Sequence, residues 1–357
     1  MKKLNVVLAA LVSSALSLTA VADISISGDG RYRFGVKDTG SNANESDISY
    51  RNGRMRFTVE GGNANAGIQM RVRTDFGQVP AGANDSIRAD RRNAFVNLGP
   101  VKVTMGEQGN YTGLLGTYYG GSGEFTDLSA ITISGGNDMV SGFITESHGD
   151  AADQIHTATG LEIKNTISRY GLSVNYQGIS VDYVARPSNL VKGDAVSEWG
   201  VEAFQDILVS GNFGGTSVEF NSSKSDAENA DAMLLRVTAP VAGYTIKLGY
   251  ADLEGGYDND DWGTMLGEGI HGVGYQTKIV GESANDETYT GLAIAGSAGN
   301  VNYQLTAGSV DDDNDATSDG FYDISASYGL DASTTLKFGM GKSGDERGMG
   351  FEVSYSF

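Results

Sequence analysis

The residue types best suited to acid–base or metal chemistry are the three histidines, His148, His156 and His271. A serine-type triad needs a histidine positioned by an acid, and a two-histidine metal site needs helical or tight spacing. His148 and His156 are separated by acidic residues at a spacing that meets neither requirement. We therefore interpret the three histidines as solvated loop residues and expect no catalytic residue, no cofactor and no metal centre.

Two acidic runs, residues 258–261 and 311–315, are the other candidates for a metal site. They lack the ligand spacing and the terminal glutamate of an EF-hand calcium loop. Acidic runs of this kind are usually solvated. Loosely bound calcium at these acidic loops is the alternative that the sequence leaves open.

Six arginines form a third pattern. They occur as one pair in each of three consecutive segments, and the two members of each pair are two residues apart. They are Arg31 and Arg33, Arg54 and Arg56, and Arg71 and Arg73. Alternate side chains of a strand point to opposite faces, so paired strands would gather these arginines into one patch. Simple salt bridges with Asp29, Glu60 and Asp75 remain an equally good interpretation for any single arginine.

The segments that carry the arginines alternate strictly between polar and apolar residues. In the first, Ile24, Ile26, Tyr32 and Phe34 share the parity opposite to that of the arginines. Many such segments run to about ten residues, the length that a tilted strand needs to cross a bilayer. The chain also has 51 glycines and 17 tyrosines but only 4 prolines. These features predict an all-β transmembrane antiparallel barrel with its polar face towards a wet lumen.

The N-terminus predicts export through a membrane. Lys2 and Lys3 precede a short apolar stretch, and Ala20 and Ala22 provide a small-x-small cleavage pattern. We expect residues 1–22 to be a signal peptide and residues 23–357 to form one barrel domain. The chain has no cysteine, and its formal net charge of −20 argues against nucleic-acid binding.

The connections predict the number of strands. Seven tight turns alternate with eight longer polar connections, which gives sixteen strands with both termini on the short-turn side. Bacterial barrels have even strand numbers, short periplasmic turns and longer outer loops. Residues 108–161 form the third long connection in this count, and residues 272–280, although mildly strand-like, are kept as loop.

The C-terminal residues alternate up to the last position. Met349, Phe351, Val353, Tyr355 and Phe357 occupy every second position. This resembles the terminal strand that the outer-membrane assembly machinery recognises. We therefore expect Phe351, Val353, Tyr355 and Phe357 to act as the assembly signal.

Three internal segments resemble general diffusion porins, and most closely the Rhodobacter-type alphaproteobacterial porins. Residues 92–108 and 165–186 resemble the hairpins before and after the third loop, and residues 123–143 resemble the loop itself. The resemblance implies a sixteen-stranded barrel, usually a homotrimer, whose third loop folds into the lumen. It also implies a constriction in which the six wall arginines face carboxylates of the loop. The acids available there are Glu124, Asp127, Asp138, Glu146, Asp150 and Asp153, and Glu124 and Asp127 are the two assigned to the constriction.

The function expected from these features is a porin of a Gram-negative outer membrane. It would be a water-filled channel for passive diffusion of small hydrophilic solutes and ions, with no enzymatic activity. Its expected partners are outer-membrane lipid, lipopolysaccharide and the assembly machinery. A substrate-selective channel is the alternative, and a barrel enzyme using the histidines is a less favoured one.

Overall fold

Eighteen antiparallel strands form one continuous sheet, and the first and last of them pair with each other, so the sheet closes into a barrel. The structure, a computed structural model, describes residues 23–38, 48–76, 86–107, 129–148, 154–155, 162–163, 166–187, 204–225, 231–254, 286–312, 319–343 and 346–357. No helix in these ranges is long and apolar enough to cross a membrane.

The strands follow one another around the barrel in chain order, apart from a short separate hairpin formed by β8 and β9. Their bounds are β1 Asp23–Asp38, β2 Ile48–Gly62, β3 Ala66–Phe76, β4 Ser86–Leu98, β5 Val101–Glu107, β6 Ser129–Gly136, β7 Val140–His148, β8 Gln154–Ile155, β9 Glu162–Ile163, β10 Thr166–Tyr176, β11 Ile179–Arg186, β12 Phe204–Phe213, β13 Thr216–Ser225, β14 Asp231–Val241, β15 Tyr244–Glu254, β16 Glu287–Ala298, β17 Val301–Asp312, β18 Asp319–Gly329, β19 Thr334–Ser343 and β20 Glu346–Ser356.

Large apolar side chains cover the outside of the barrel. Ile24 is 73% exposed, Ile68 61% and Ile144 63%, and similar residues recur on the same parity of almost every strand. In water such a surface would drive aggregation, whereas in a bilayer it faces hydrocarbon. The predicted all-β antiparallel barrel with its apolar parity outwards is therefore confirmed.

The predicted number of sixteen strands is wrong, because β6 and β7 lie inside the segment assigned to the third loop, residues 108–161. These strands meet at residues 137–139, where Asn137 Oδ1 accepts hydrogen bonds from the backbone N–H groups of Met139 and Val140 at 2.9 Å. Gly135, Gly136, Asn137 and Asp138 are typical turn-forming residues, but the count missed the turn because it assigned the whole of residues 108–161 to one long connection.

The extra hairpin also changes the extent of the third loop. Residues 129–143, part of the segment that resembles the porin third loop, belong to the barrel wall or its turn. Residues 108–128, which connect β5 to β6, lie outside the described residues, as do residues 272–280. The even number of strands still leaves both termini on the side of the short turns.

Two kinds of turn connect the strands on that side. Asn63, Asn137 and Asp331 each accept hydrogen bonds from backbone N–H groups two and three residues ahead. These two bonds lower the pKa of the exposed Asp331 carboxyl. In the two-residue turn at Gln177 and Gly178, both residues have positive φ, as a type I′ hairpin turn requires.

Aromatic rings lie over glycines where neighbouring strands pair, and one such contact closes the barrel. Phe357 exchanges two backbone hydrogen bonds of 3.0 Å with Gly28 of β1. Its ring occupies the space beside Gly28, where a Cβ would be only 2.5 Å from Phe357 Cζ and 2.6 Å from the Arg56 carbonyl oxygen. The terminal residue therefore fits a site that only glycine leaves open.

We expect Gly28→Ala to reduce the yield of closed barrel, because its methyl group would displace the Phe357 ring or the β2 backbone. Gly30→Ala is the matched control, since the nearest atoms to a Cβ there are 3.9 Å away. The measurement is the fraction of protein that migrates as a compact, heat-modifiable band on SDS gels after refolding. Equal yields for the two variants would contradict this account of the seam.

Deletion of Phe357 should lower the amount of membrane-inserted protein much more than it alters the properties of channels that do insert. The residue lies at the short-turn end of the seam and packs against Phe57, with ring centroids 5.8 Å apart. Quantitative blotting of outer-membrane fractions, together with bilayer recordings of the inserted protein, measures both effects. Normal levels of inserted protein would disprove the assembly role of this residue.

Candidate functional site: the pore lining

The six arginines lie together on the inner face of β1, β2 and β3. Within each strand they alternate with outward residues such as Tyr32, Met55 and Met70, which are 39–46% exposed. The strand register places Arg31 opposite Arg54. It also places Arg56 opposite Arg73. The predicted patch is thus present on the luminal wall, whereas its role as the constriction stays a prediction.

Arg33 and Arg54 have nearby counter-charges. Arg33 Nε donates to Glu352 Oε2 at 2.5 Å, and Arg54 forms an ion pair with Asp29 at 3.4 Å. Within the described strands Arg31 and Arg56 form no ion pair, and the Nε atom of each is buried without a hydrogen-bond partner. Salt bridging therefore explains part of the arginine patch but not the whole of it.

Of the other two acids suggested as partners, the described side chains place only Glu60. Glu60 accepts a hydrogen bond from the side-chain amide of Gln69, its neighbour across β2 and β3. Asp75 lies opposite Arg54 in the register, and its side chain is outside the described part of the structure. The inner face of β1–β3 therefore carries an excess of positive charge.

Glu352 is the luminal residue that sequence reasoning missed. It is 1% exposed and binds both Arg33 and Lys337, the latter at 2.9 Å, so it links β1, β20 and β19. In β20 it alternates with the outward-facing terminal residues such as Phe351 and Val353. This alternation was the signal in the sequence that could have placed Glu352 on the inner face. The triad lies across the seam of the barrel, where chain ends pair.

The inner face is not equally accessible around the barrel. Several side chains on the inner parity of β14–β17 are almost completely buried, among them Leu234 and Leu253 at 1% and Tyr289 at 3%. The arginines of β1–β3 are only partly buried. The arginine wall is therefore more accessible to water than these positions of β14–β17.

Several acids expected to face the arginines lie elsewhere. Glu124 and Asp127 are outside the described residues, so the structure leaves their predicted role untested. Asp138 lies in the turn between β6 and β7. Glu146 is exposed on the outward parity of β7, two residues from the lipid-facing Ile144. The last two cannot form the expected third-loop side of a constriction.

The proposed assembly signal faces outwards. Phe351, Val353, Tyr355 and Phe357 are 41%, 37%, 50% and 52% exposed on one parity at the end of the chain. Such exposure is compatible with recognition by a membrane-embedded partner during assembly, which remains a prediction.

The structure assigns no chemistry to the histidines. His148 ends β7, opposite Ser129 and Thr166 in the backbone register. His156 and His271 lie outside the described residues. In the part of the chain that the structure describes, no group of three or more histidine, aspartate or glutamate side chains could hold a metal ion.

The fold is shared by solved structures over nearly the whole chain. OccAB4 of Acinetobacter baumannii matches with a TM-score of 0.63 and 11% identity, covering 94% of this chain and 98% of that chain. OccK11 (OpdR) of Pseudomonas aeruginosa matches with a TM-score of 0.61 and 13% identity, covering 94% and 96%. A mutant of the Rh. blastica porin matches with a TM-score of 0.51 and 13% identity, covering 94% and 100%. No protein-family model and no curated protein sequence matches the chain.

At such low identities the likeness concerns the fold. Outer-membrane porins are among the matched structures, and a closed barrel with an apolar exterior suits a bilayer. The expected location in the outer membrane is therefore confirmed.

We expect Glu352→Gln to destabilise the barrel by about 3 kcal/mol, because it leaves Arg33 and Lys337 without their shared counter-charge in a buried site. The measurement is the temperature at which the folded band on SDS gels is lost. Glu219→Gln is the control, since its ion pair with Arg236 is more exposed, with Glu219 at 22%, and should be worth about 1 kcal/mol or less. Equal shifts in the two variants would show that the seam triad has no special role.

Proposed function

We propose that this protein is a water-filled outer-membrane channel through which small hydrophilic solutes and ions diffuse passively. The observation that carries the proposal is the segregation of the two faces of the closed sheet, apolar outside and charged inside. Six arginines on a lipid-facing surface would each cost several kcal/mol, whereas in a wet lumen they remain hydrated. The proposal includes no enzymatic activity.

The arginine wall gives the channel its selectivity in this proposal. Like charges directly opposite each other across two strands are destabilising. Arg31 faces Arg54 in this way, and Arg56 faces Arg73. Repulsion between like charges that recurs along one wall is typical of a functional surface. A surface with excess positive charge attracts anions and the anionic groups of solutes.

The finer assignment to Rhodobacter-type general porins rests on the hairpins. Residues 92–107 lie in the β4–β5 hairpin, and residues 166–186 form the β10–β11 hairpin, as the resemblance implies. The eighteen strands depart from the sixteen that the same resemblance implies. Homotrimer formation, removal of residues 1–22 and contact with lipopolysaccharide belong to the proposal on the same footing.

A substrate-selective channel is a second candidate, and one observation favours it. The inner face contains a defined pocket next to the arginine wall, described below, in addition to an evenly charged surface. A purely size-selective pore has no need of such a pocket.

The purified protein should form open channels in planar bilayers, and neutralising Arg31 and Arg56 together should shift its selectivity towards cations. A unit charge about 7 Å from the path in water contributes roughly 0.6 kcal/mol, so two charges contribute roughly 1.2 kcal/mol and we expect about a sevenfold change in permeability ratio, by order of magnitude. The measurement is the reversal potential across a salt gradient for the double Arg→Gln variant.

Lys224→Gln is the matched control for this experiment. Its side chain is 61% exposed at the end of β13, where it pairs with Asp231, and it lies on the outward parity. The control should leave the permeability ratio unchanged. A protein that inserts without conductance refutes the channel itself, and an unchanged reversal potential in the arginine variant refutes only the role of the wall.

A further inference from the structure

A pocket of about 680 Å³ opens on the inner face of the barrel near the short-turn end. It lies between β5, β6, β7, β10 and β11, and its volume is in the range of small-ligand sites. The side chains used below share the inner parity of these strands, since their neighbours Ile144 and Leu172 are 63% and 49% exposed outwards. The lining includes Lys102, Ser134, Ser141, Phe143, Ser173 and Asp182.

Phe143 provides an aromatic surface in the middle of this pocket. Its ring lies over Gly171 of the neighbouring strand, where a Cβ would be only 2.2 Å from Phe143 Cε1. Because Gly171 has no side chain, the ring can lie flat against the wall at this position. The ring is partly exposed and is available for contact with an apolar group.

A positive charge borders the pocket on the β5 side. Lys102 is exposed, and its Nζ lies 4.5 Å from the centroid of the Phe95 ring. In the described part of the chain Lys102 forms no ion pair with a carboxylate. The cation–π contact with Phe95 holds the ammonium group on the β4 side of β5, opposite to the pocket. Such a contact is weak at an exposed site, so the flexible lysine side chain can leave the ring and turn towards an anion in the pocket.

A negative charge borders the pocket on the β11 side. Asp182 is partly buried and accepts a hydrogen bond of 3.1 Å from the hydroxyl of Ser180. Among the described residues no basic group pairs with it. Asp138 also lines the pocket, but it is exposed in the β6–β7 turn, where water screens its charge more effectively.

The distance between these two charges sets the size of a ligand that can bind both. Four strand intervals separate β5 from β11, through β6, β7 and β10. At about 4.8 Å per interval the backbones are roughly 19 Å apart. When Lys102 leaves Phe95 and turns towards β6, its four-carbon stem and the shorter Asp182 side chain reduce the gap between the two charges to about 10 Å. About three extended residues span this distance.

We propose that the pocket binds short peptides of two or three residues through their free termini. The peptide carboxylate binds Lys102, the ammonium group binds Asp182, and an apolar middle side chain lies on Phe143. The hydroxyls of Ser134, Ser141 and Ser173 provide hydrogen-bonding groups along the backbone of the ligand. This inference rests on the channel function proposed above and names a solute class for it.

The test is block of single-channel current by the tripeptide Ala-Leu-Ala, added on either side of a planar bilayer. The free peptide should interrupt the current in a concentration-dependent manner. The same peptide with an acetylated N-terminus and an amidated C-terminus should block at least about tenfold more weakly, since it lacks both charges. The open-channel conductance in the same records tests the channel function separately.

Variants locate the site. Lys102→Gln and Asp182→Asn should each weaken the block by about threefold to tenfold. Phe143→Ala should weaken it for Ala-Leu-Ala more than for triglycine, which lacks the apolar side chain. Lys247→Gln is the matched control, because this luminal lysine lies on β15 and binds Gln304, away from the pocket. It should leave the block unchanged.

Exchange of the two charges gives the sharpest test. Lys102→Glu alone and Asp182→Lys alone should abolish most of the block. The double variant should recover it, since a zwitterionic peptide can bind in the reverse direction. Equal block by free and capped peptides, block that survives both single reversals, or equal block by a neutral disaccharide such as sucrose would each overturn the proposal. Normal conductance in the same records would leave the channel function standing.

Discussion

The structure depends on the requirement that every backbone N–H and C=O group in a bilayer finds a partner within the protein. An open sheet leaves two edges of unpaired groups, and hydrocarbon provides no water to satisfy them. Pairing of β1 with β20 removes both edges, from Asp29 opposite Ser356 to Asp38 opposite Arg347. Gly28, Phe357 and the Arg33–Glu352–Lys337 triad all lie along this seam. The seam between β1 and β20 is thus held by backbone, ring and charge contacts.

Closure also decides where the charges go. Because side chains alternate along each strand, an apolar exterior places the whole polar parity inside the barrel. Opposite arginines on β1–β3 then repel one another, and Asp29 offsets part of this repulsion through its ion pair with Arg54. Hydration in the lumen reduces the repulsion further without removing it. In the proposed channel, the attraction of this wall for anions is a direct consequence of the sheet geometry.

Much of this arrangement could be predicted from the sequence, and the part that could not has a physical reason. The parity of Tyr32 against Arg31 and Arg33 defined both faces, and glycine-containing turns such as Gln177–Gly178 were recognised from residues that tolerate positive φ. The turn after β6 was missed although Gly135, Gly136 and Asn137 are turn-forming residues, because the resemblance to a long third loop assigned residues 108–161 to a single connection. Because this turn was missed, two strands were not counted and part of the barrel wall was assigned to a loop. The seam triad could not be found either, since Glu352 and Arg33 are brought together only by closure.

The corrected strand assignment alters the electrostatic argument for the pore. With sixteen strands, carboxylates on a long third loop had to balance the arginines, but Asp138 lies in a turn and Glu146 faces outwards. The described wall itself already separates charge, with arginines on β1–β3, Lys102 on β5 and the first unpaired luminal acid, Asp182, on β11. These charges of the described wall produce a field of their own. In the proposed channel, the field orients a dipolar solute as it passes from the arginine wall to the pocket beside Phe143, because both lie on one surface with only β4 between them.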